Sequence, residues 1–149
     1  MTFDDYLAIK NLIHRYPQYA DKGDFDGVGR TLGNTTMGKL GEEPAFLAEG
    51  AEKFAHNYAE TVRRFPDRNT PRTRHLIGNV IVEDDGPEKA RTEAYVVVFQ
   101  QTGKLPLQPI IAGTFFDRFA KIDGEWRMVE RIADMELVGD LSEHLLRDI

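Results

Sequence analysis

The sequence predicts an α+β fold in which three N-terminal helices cover one face of a mostly antiparallel sheet. Up to about residue 65, apolar residues recur at the three- and four-residue spacing of amphipathic helices. From residue 72 onward they alternate with the period of two that is typical of strands. A sheet that closes over three short helices must curve. A pocket between the two layers is therefore expected.

The first helix begins after Thr2, which is a good N-cap and is followed by acidic residues that suit the helix dipole. Its apolar side follows the helical spacing as far as Tyr16. Pro17 is expected to kink the helix, because proline lacks a donor and crowds the preceding turn. A second, short helix is expected to start near Asp24 and to be weakened by its glycines.

Residues 33–48 are ambiguous, because several glycines and Pro44 interrupt any long element, although short strands are possible there. The third helix is predicted over residues 50–65. One of its sides is apolar and carries Phe54, Tyr58, Val62 and Phe65.

Four strand candidates follow, rich in valine, isoleucine, phenylalanine and threonine. They read TRHLIGNVIVE, KARTEAYVVVFQQ, IIAGTFFDRFAK and EWRMVERIADMEL. The segments DDGPE and IDGE are typical hairpin turns. Glycines inside the strands, Gly78 and Gly113, indicate bends or bulges. One such bulge would invert the predicted faces of a strand.

Size and composition predict one domain over residues 1–149. The net charge of −6, without a basic cluster, argues against nucleic acid or an anionic membrane as a partner. The chain has no cysteine, and its N-terminus has acids where a signal peptide would have basic residues. A cytoplasmic protein is expected.

The first long strand contains an unusual pair of polar residues. Alternation places His75, Ile77, Asn79 and Ile81 on one face of this strand. A face that carries both a histidine and an asparagine resembles the wall of a cavity. The alternative is that His75 is a structural histidine with satisfied hydrogen bonds near the start of the strand.

Asp21, at the end of the first helix, is a candidate partner for His75. An aspartate that accepts a hydrogen bond from one ring nitrogen would fix the tautomer and leave the other nitrogen free to take a proton. From the residues alone, the simpler interpretation of Asp21 is a turn residue before Lys22 and Gly23. His14, His56 and His144 show no metal-ligand spacing, so neither a metal site nor a cofactor is expected.

The segments IKNLIHRYPQYADKGDFDGV, TRHLIGN and AGTFFDRFAKIDGEWRMVERI, in this order, resemble the SnoaL-like branch of the NTF2-like (cystatin-like) superfamily. Relatives in that superfamily include scytalone dehydratase, the polyketide cyclase SnoaL, hexachlorocyclohexane dehydrochlorinase and the small subunit of ring-hydroxylating dioxygenases. The resemblance covers roughly residues 4–140 and implies an α+β cone that encloses a pocket.

The resemblance also implies a catalytic pair. In dehydratase and dehydrochlorinase members, an aspartate on a helix and a histidine on a strand act together inside the cone, and the matching residues here are Asp21 and His75. Where the dehydrochlorinase pattern has a lysine, this chain has Tyr16, which can donate a hydrogen bond but carries no positive charge. This difference favours dehydration, isomerisation or cyclisation over removal of a halide.

The expected function is that of a cofactor-independent lyase or isomerase acting on a small, largely apolar, oxygenated substrate. His75 would remove a proton, while Tyr16 and Asn79 would hold the developing oxyanion. The residues expected to line the pocket are Tyr16, Tyr19, Phe54, Tyr58, His75, Asn79 and Phe115. The alternative is a non-catalytic ligand-binding protein or a structural subunit with the same fold.

Relatives of this kind form dimers or trimers through the outer face of the sheet, and the resemblance implies a homodimer or homotrimer here. Apolar residues predicted on that face, including Tyr95, Val97 and Phe99, fit this assembly. The alternative is that the C-terminal segment, residues 139–149, folds back and covers the same surface.

Overall fold

The computed structural model describes residues 1–42 and 46–147 and has the predicted α+β architecture. The helices are α1 (Phe3–Asp21), α2 (Phe25–Leu32) and α3 (Ala51–Thr61). The strands are β1 (Thr36–Lys39), β2 (Phe46–Leu47), β3 (Thr73–Asp84), β4 (Lys89–Gln100), β5 (Gln108–Ile122) and β6 (Glu125–Val138). The short strands considered for residues 33–48 are thus present, while Pro44 lies outside the described residues.

The N-terminal ends of α1 and α2 are capped as their sequences predict. The Thr2 hydroxyl accepts a hydrogen bond from the Asp5 N–H at 3.1 Å, and the Asp5 carboxylate accepts one from the Thr2 N–H at 3.0 Å. This reciprocal pair is a capping box. α1 continues through Pro17 and ends at Asp21. Asp24 caps α2 with its side chain.

α3 is shorter than the predicted helix over residues 50–65. It ends at Thr61, because Val62 adopts an extended conformation and forms an antiparallel bridge with Leu145. Pairing with a distant segment therefore outweighs the helical pattern of the local sequence at this point. No helix within the described ranges, 1–42 and 46–147, is both long and apolar enough to cross a membrane.

The six strands form one sheet in the order β2-β1-β6-β5-β4-β3. All neighbouring strands are antiparallel except β1 and β6, which pair in parallel. The prediction of a mostly antiparallel sheet is therefore confirmed. β3 lies at one edge, and its first residues hydrogen-bond to Asp21 at the end of α1.

Register shifts between neighbouring strands bend the sheet over the helices. One lies in β3 between Gly78 and Ile81, and another between β5 and β6 lies at Gly113. A side chain at Gly113 would place its Cβ 2.1 Å from the backbone oxygen of Asp134, so only glycine allows this close approach of β6. Both glycines predicted to mark bends do so.

α1 packs across the concave side of the sheet through residues that are fully or almost fully buried, including Ile9, Ile13 and Tyr16. Phe119 of β5 and Val28 of α2 belong to the same core. An apolar cavity adjoins this core, between α3, the sheet and the C-terminal residues.

The C-terminal strap, defined here as residues 140–147, crosses the end of α3. The Arg63 N–H donates to the His144 carbonyl at 2.8 Å, and the Leu146 N–H donates to the Thr61 carbonyl at 2.8 Å. The strap therefore closes the side of the cavity and does not cover the outer face of the sheet, where Tyr95 is 52% exposed. The alternative that it folds over the outer face is wrong for the described residues.

Candidate active site

Asp21 and His75, the predicted pair, are in direct contact. Asp21 is the last residue of α1, and His75 is the third residue of β3. The Asp21 Oδ1 and His75 Nδ1 atoms are 2.6 Å apart, and the two side chains are only 10% and 7% exposed. A charged carboxylate is stable in so buried a position only when it is fully hydrogen-bonded.

Neighbouring groups on β3 satisfy the Asp21 carboxylate. The Thr73 hydroxyl donates to Oδ1 at 2.7 Å, and the His75 backbone N–H donates to Oδ2 at 2.9 Å. Burial by itself would raise the pKa of Asp21, but the hydrogen bonds and electrostatic effect of His75, together with the hydrogen bond of Thr73, lower the pKa below its usual value. Because an ionised carboxylate can only accept, Nδ1 is the His75 ring nitrogen that donates to Asp21, and Nε2 is the ring nitrogen that this contact leaves free.

The histidine faces an apolar cavity of about 560 Å³, which is within the usual size range for small-molecule sites. Of the residues predicted to line the pocket, the structure brings five together around it: Tyr16, Phe54, Tyr58, His75 and Phe115. Aliphatic side chains, among them Val96, Val98, Ile111 and Leu141, make up much of the remaining wall. The site thus combines a polar pair with an apolar interior.

Two predicted lining residues, Asn79 and Tyr19, lie elsewhere. Asn79 is exposed, with a φ of 50°, inside the bulge of β3. The extra residue reverses the alternation, so that Val80 and Val82 turn inward and Ile81 points outward at 57% exposure. The prediction that Asn79 lines the pocket is therefore wrong.

Tyr19 instead packs between α1 and α2. A Cβ on Gly27 would come within 2.5 Å of the Tyr19 ring, so glycine makes room for this side chain. The Arg30 guanidinium lies 5.8 Å from the centre of the same ring. Tyr19 follows Tyr16 by about one helical turn, but its side chain faces the neighbouring helix α2. The prediction that Tyr19 lines the pocket is therefore also wrong.

The two tyrosines that do line the cavity remain protonated donors. Burial raises the pKa of Tyr16, and burial likewise raises that of Tyr58. The Tyr16 ring lies edge-on to His75, with 6.0 Å between the ring centres. Either phenol can donate a hydrogen bond to an oxygen of a bound molecule.

A buried ion pair behind Tyr16 was not predicted from the sequence. Arg131 donates two hydrogen bonds to Asp117, at 2.8 and 2.7 Å, and the side chains are 2% and 0% exposed. The guanidinium lies 3.8 Å from the ring centre of Phe115 and 4.8 Å from that of Tyr16. Burial alone would lower the pKa of Arg131, but Asp117 outweighs burial and raises it. The sequence did contain a signal for a buried Asp117. This residue alternates with Phe115 and Phe119 along the strand, so it shares their face of the sheet.

His144, on the strap, also lines the cavity and was not predicted to do so. It is 9% exposed, and no group in the described parts of the chain bonds its shielded Nδ1. A buried polar atom without a partner costs on the order of 1–3 kcal/mol. Burial, with a smaller electrostatic contribution from His75, lowers the pKa of His144 to about 4, so the ring is neutral at pH 7.

Asp21 and His75 also border a second, polar cleft of about 1010 Å³. Its walls carry basic side chains, including Lys22, Arg68 and Arg74. Asp21 and His75, referred to below as the dyad, therefore lie between an apolar interior and a polar surface cleft. Among the described residues, no three histidine, aspartate or glutamate side chains cluster as metal ligands would.

Fold and site together define an α+β cone of the NTF2-like, or cystatin-like, class, with a helix-borne aspartate and a strand-borne histidine at its cavity. Residues 1–132 match the model of the SnoaL-like domain. The chain belongs to the SnoaL-like family, as its resemblance predicted. No match was found among curated protein sequences.

Similar solved structures share this fold. A cystatin-like protein of unknown function from Nostoc punctiforme has a TM-score of 0.70 at 22% identity, over 95% of this chain and 98% of that one. A candidate scytalone dehydratase from Novosphingobium aromaticivorans has a TM-score of 0.68 at 15% identity, over 92% and 87% of the two chains. The β subunit of a candidate aromatic-ring-hydroxylating dioxygenase from the same species has a TM-score of 0.67 at 19% identity, over 91% of each chain. Identities this low show a common fold and not a common activity.

Proposed function

We propose that the protein is a cofactor-independent lyase or isomerase that removes a proton from a small, largely apolar, oxygenated substrate. The observation that carries this proposal is the hydrogen-bonded pair of Asp21 and His75 at the wall of an apolar cavity. A histidine held by a carboxylate through Nδ1 is a positioned general base. An apolar cavity excludes water and strengthens the electrostatic interactions of the few polar groups inside it.

In the proposed reaction, Nε2 of neutral His75 takes a proton from a carbon next to a carbonyl or a leaving group. The electron pair of the broken C–H bond moves toward the substrate oxygen, where Tyr16 or Tyr58 donates a hydrogen bond to the developing charge. Return of the proton to another carbon completes an isomerisation. Delivery of the proton to a departing hydroxyl completes a dehydration with release of water.

The charges around the site favour a substrate in which the atom that departs, or that develops negative charge, is an oxygen and not a halide. Tyr16 is a neutral donor. The buried cation next to it, Arg131, is already paired with Asp117 through two hydrogen bonds. A departing halide would therefore meet no uncommitted positive charge from these residues, whereas an oxygen finds phenol donors.

The direct test is hydrogen exchange at carbon. The protein is incubated in D₂O with cyclic ketones such as 2-tetralone and cyclohex-2-enone, and deuterium uptake is followed by mass spectrometry. We expect the wild-type protein to accelerate uptake over His75→Ala, while His56→Ala, which removes an exposed histidine of α3, retains the full rate. Equal rates for wild type, His75→Ala and buffer with every ketone would contradict the proposal and favour a non-catalytic binding protein or structural subunit.

We also propose that the protein forms a homodimer or homotrimer through the outer face of its sheet. Leu76, Val97, Ala112 and Leu137 pair in succession across β3 to β6 and form one apolar row. Leu76 is 60% and Leu137 is 63% exposed. Adjoining apolar side chains that remain exposed favour contact with another protein surface.

Light scattering at micromolar concentration is expected to give two or three times the chain mass of 17.0 kDa. Leu137→Glu should reduce the mass to that of one chain, since an unpaired charge in an apolar interface is costly. The exposed Leu107→Glu, outside the row, is the matched control. A wild-type mass near 17.0 kDa would rule out the assembly.

A further inference from the structure

The strap holds His144 in a defined place. Its N–H donates to the Leu141 carbonyl at 3.0 Å, and its carbonyl accepts from the Arg63 N–H at 2.8 Å. The bridge between Val62 and Leu145 adds a further constraint on the next residue. Because the backbone N–H and carbonyl of His144 are both hydrogen-bonded within the fold, the imidazole is the polar group of this residue that can interact with a molecule in the cavity.

The imidazole of His144 is poised for an uncharged polar partner. It faces the same cavity as His75, yet its Nδ1 is shielded from water and meets no partner among the described residues. Its low pKa, about 4, keeps the ring neutral at pH 7, so one nitrogen donates and the other accepts. Ionised Asp21 is close enough to affect this pKa and disfavours a second negative charge nearby. A hydroxyl or carbonyl oxygen suits this environment better than a carboxylate.

We propose that His144 binds a second oxygen of the substrate, apart from the oxygen that develops charge near His75. The substrate is then an apolar compound with two uncharged oxygen functions, one at the reacting end and one at the strap. This inference rests on the proposed function for the role of His75. The binding step at His144 does not require that the reaction occur.

The test compares two probes that differ by one hydroxyl, p-cresol and toluene, by calorimetry and by ¹⁵N NMR of the histidine rings. p-Cresol should bind the wild-type protein about three- to tenfold more tightly than toluene, as expected for one added hydrogen bond. His144→Phe should remove most of this preference. His144→Gln, which retains a donor and an acceptor, should restore part of it.

His56→Phe is the matched control, because His56 is 69% exposed on α3, and it should keep the full preference. An unchanged preference in His144→Phe overturns the proposal, as does failure of p-cresol to bind the wild type at millimolar concentration. If His144→Phe does not fold, the wild-type spectrum decides. p-Cresol must then shift the His144 ring nitrogens more than toluene does, and equal shifts overturn the proposal. If the wild-type protein exchanges carbon-bound hydrogen no faster than His75→Ala or buffer, while the p-cresol preference is intact, the reaction is contradicted and the binding role stays in place.

Discussion

Replacing His75 by alanine is expected to lower the rate of carbon exchange, or of turnover once a substrate is found, by about 10²–10⁴-fold. The His75 imidazole is the group at the cavity wall that bonds to Asp21 through Nδ1, and alanine removes it while leaving the backbone N–H that donates to Asp21. Steady-state kinetics with the same ketone would measure the loss. Circular dichroism would show that the fold is retained.

Asp21→Asn is the companion variant, and it should also reduce the rate strongly. The amide has nearly the shape of the carboxylate but can donate a hydrogen bond to Nδ1 of His75, which favours the tautomer with Nε2 protonated and unable to act as a base. Thr73→Val, which removes only one hydrogen bond to Asp21, should have a smaller effect. Wild-type rates for both His75→Ala and Asp21→Asn would mean that the pair is structural.

The second large effect is expected from the ion pair behind Tyr16. Arg131→Met should reduce the free energy of unfolding by about 3–5 kcal/mol, because it leaves the fully buried Asp117 without its partner. Urea unfolding followed by circular dichroism measures the change. Such a loss is a large part of the total stability of an ordinary domain.

The double variant Arg131→Met with Asp117→Leu distinguishes loss of an ion pair from loss of packing. Removing both charges together should recover most of the stability, because no unpaired charge then remains buried. If the single variant loses less than about 1 kcal/mol, or if the double variant is no more stable than the single one, unpaired charge is not the cause. Packing on Tyr16 and Phe115 would then explain the role of Arg131.

The layers of the fold were predictable because they follow from local periodicity. A helical spacing before residue 65 and alternation after residue 72 define the helices and the long strands. The face of a residue within a strand was less predictable, since a single extra residue reverses it. In β3 the reversal occurs at Gly78 and Asn79, and both residues tolerate unusual backbone angles. Their adjacency was a local signal of a bulge, and it is the reason that Asn79 faces solvent.

The rest of the site depends on contacts between segments that are far apart in the sequence. In the sequence, Asp117 is one of several charged residues in its strand, and nothing local predicts its partner. The partner is Arg131, which lies on the neighbouring strand. His144 became part of the cavity only because the strap pairs with the end of α3. The sequence pattern nominated Asp21 and His75 as candidates, and the family resemblance favoured their pairing, since neither residue type nor spacing alone predicts that the two side chains meet.

The way in which the strap closes the cavity also bears on folding. The two residues of the dyad are 54 positions apart in the sequence. The strap connects the end of α3 to the last part of the chain, so the walls of the cavity come from segments that are far apart in the sequence. Such long-range contacts cost loop-closure entropy and slow folding. Because the cavity forms only in the complete native state, a molecule bound in it raises the free energy of unfolding of the whole domain. A compound held there at 100 times its Kd stabilises the folded domain by about 2.7 kcal/mol. The increase in melting temperature on binding therefore ranks candidate ligands by affinity, even while the reaction is unknown.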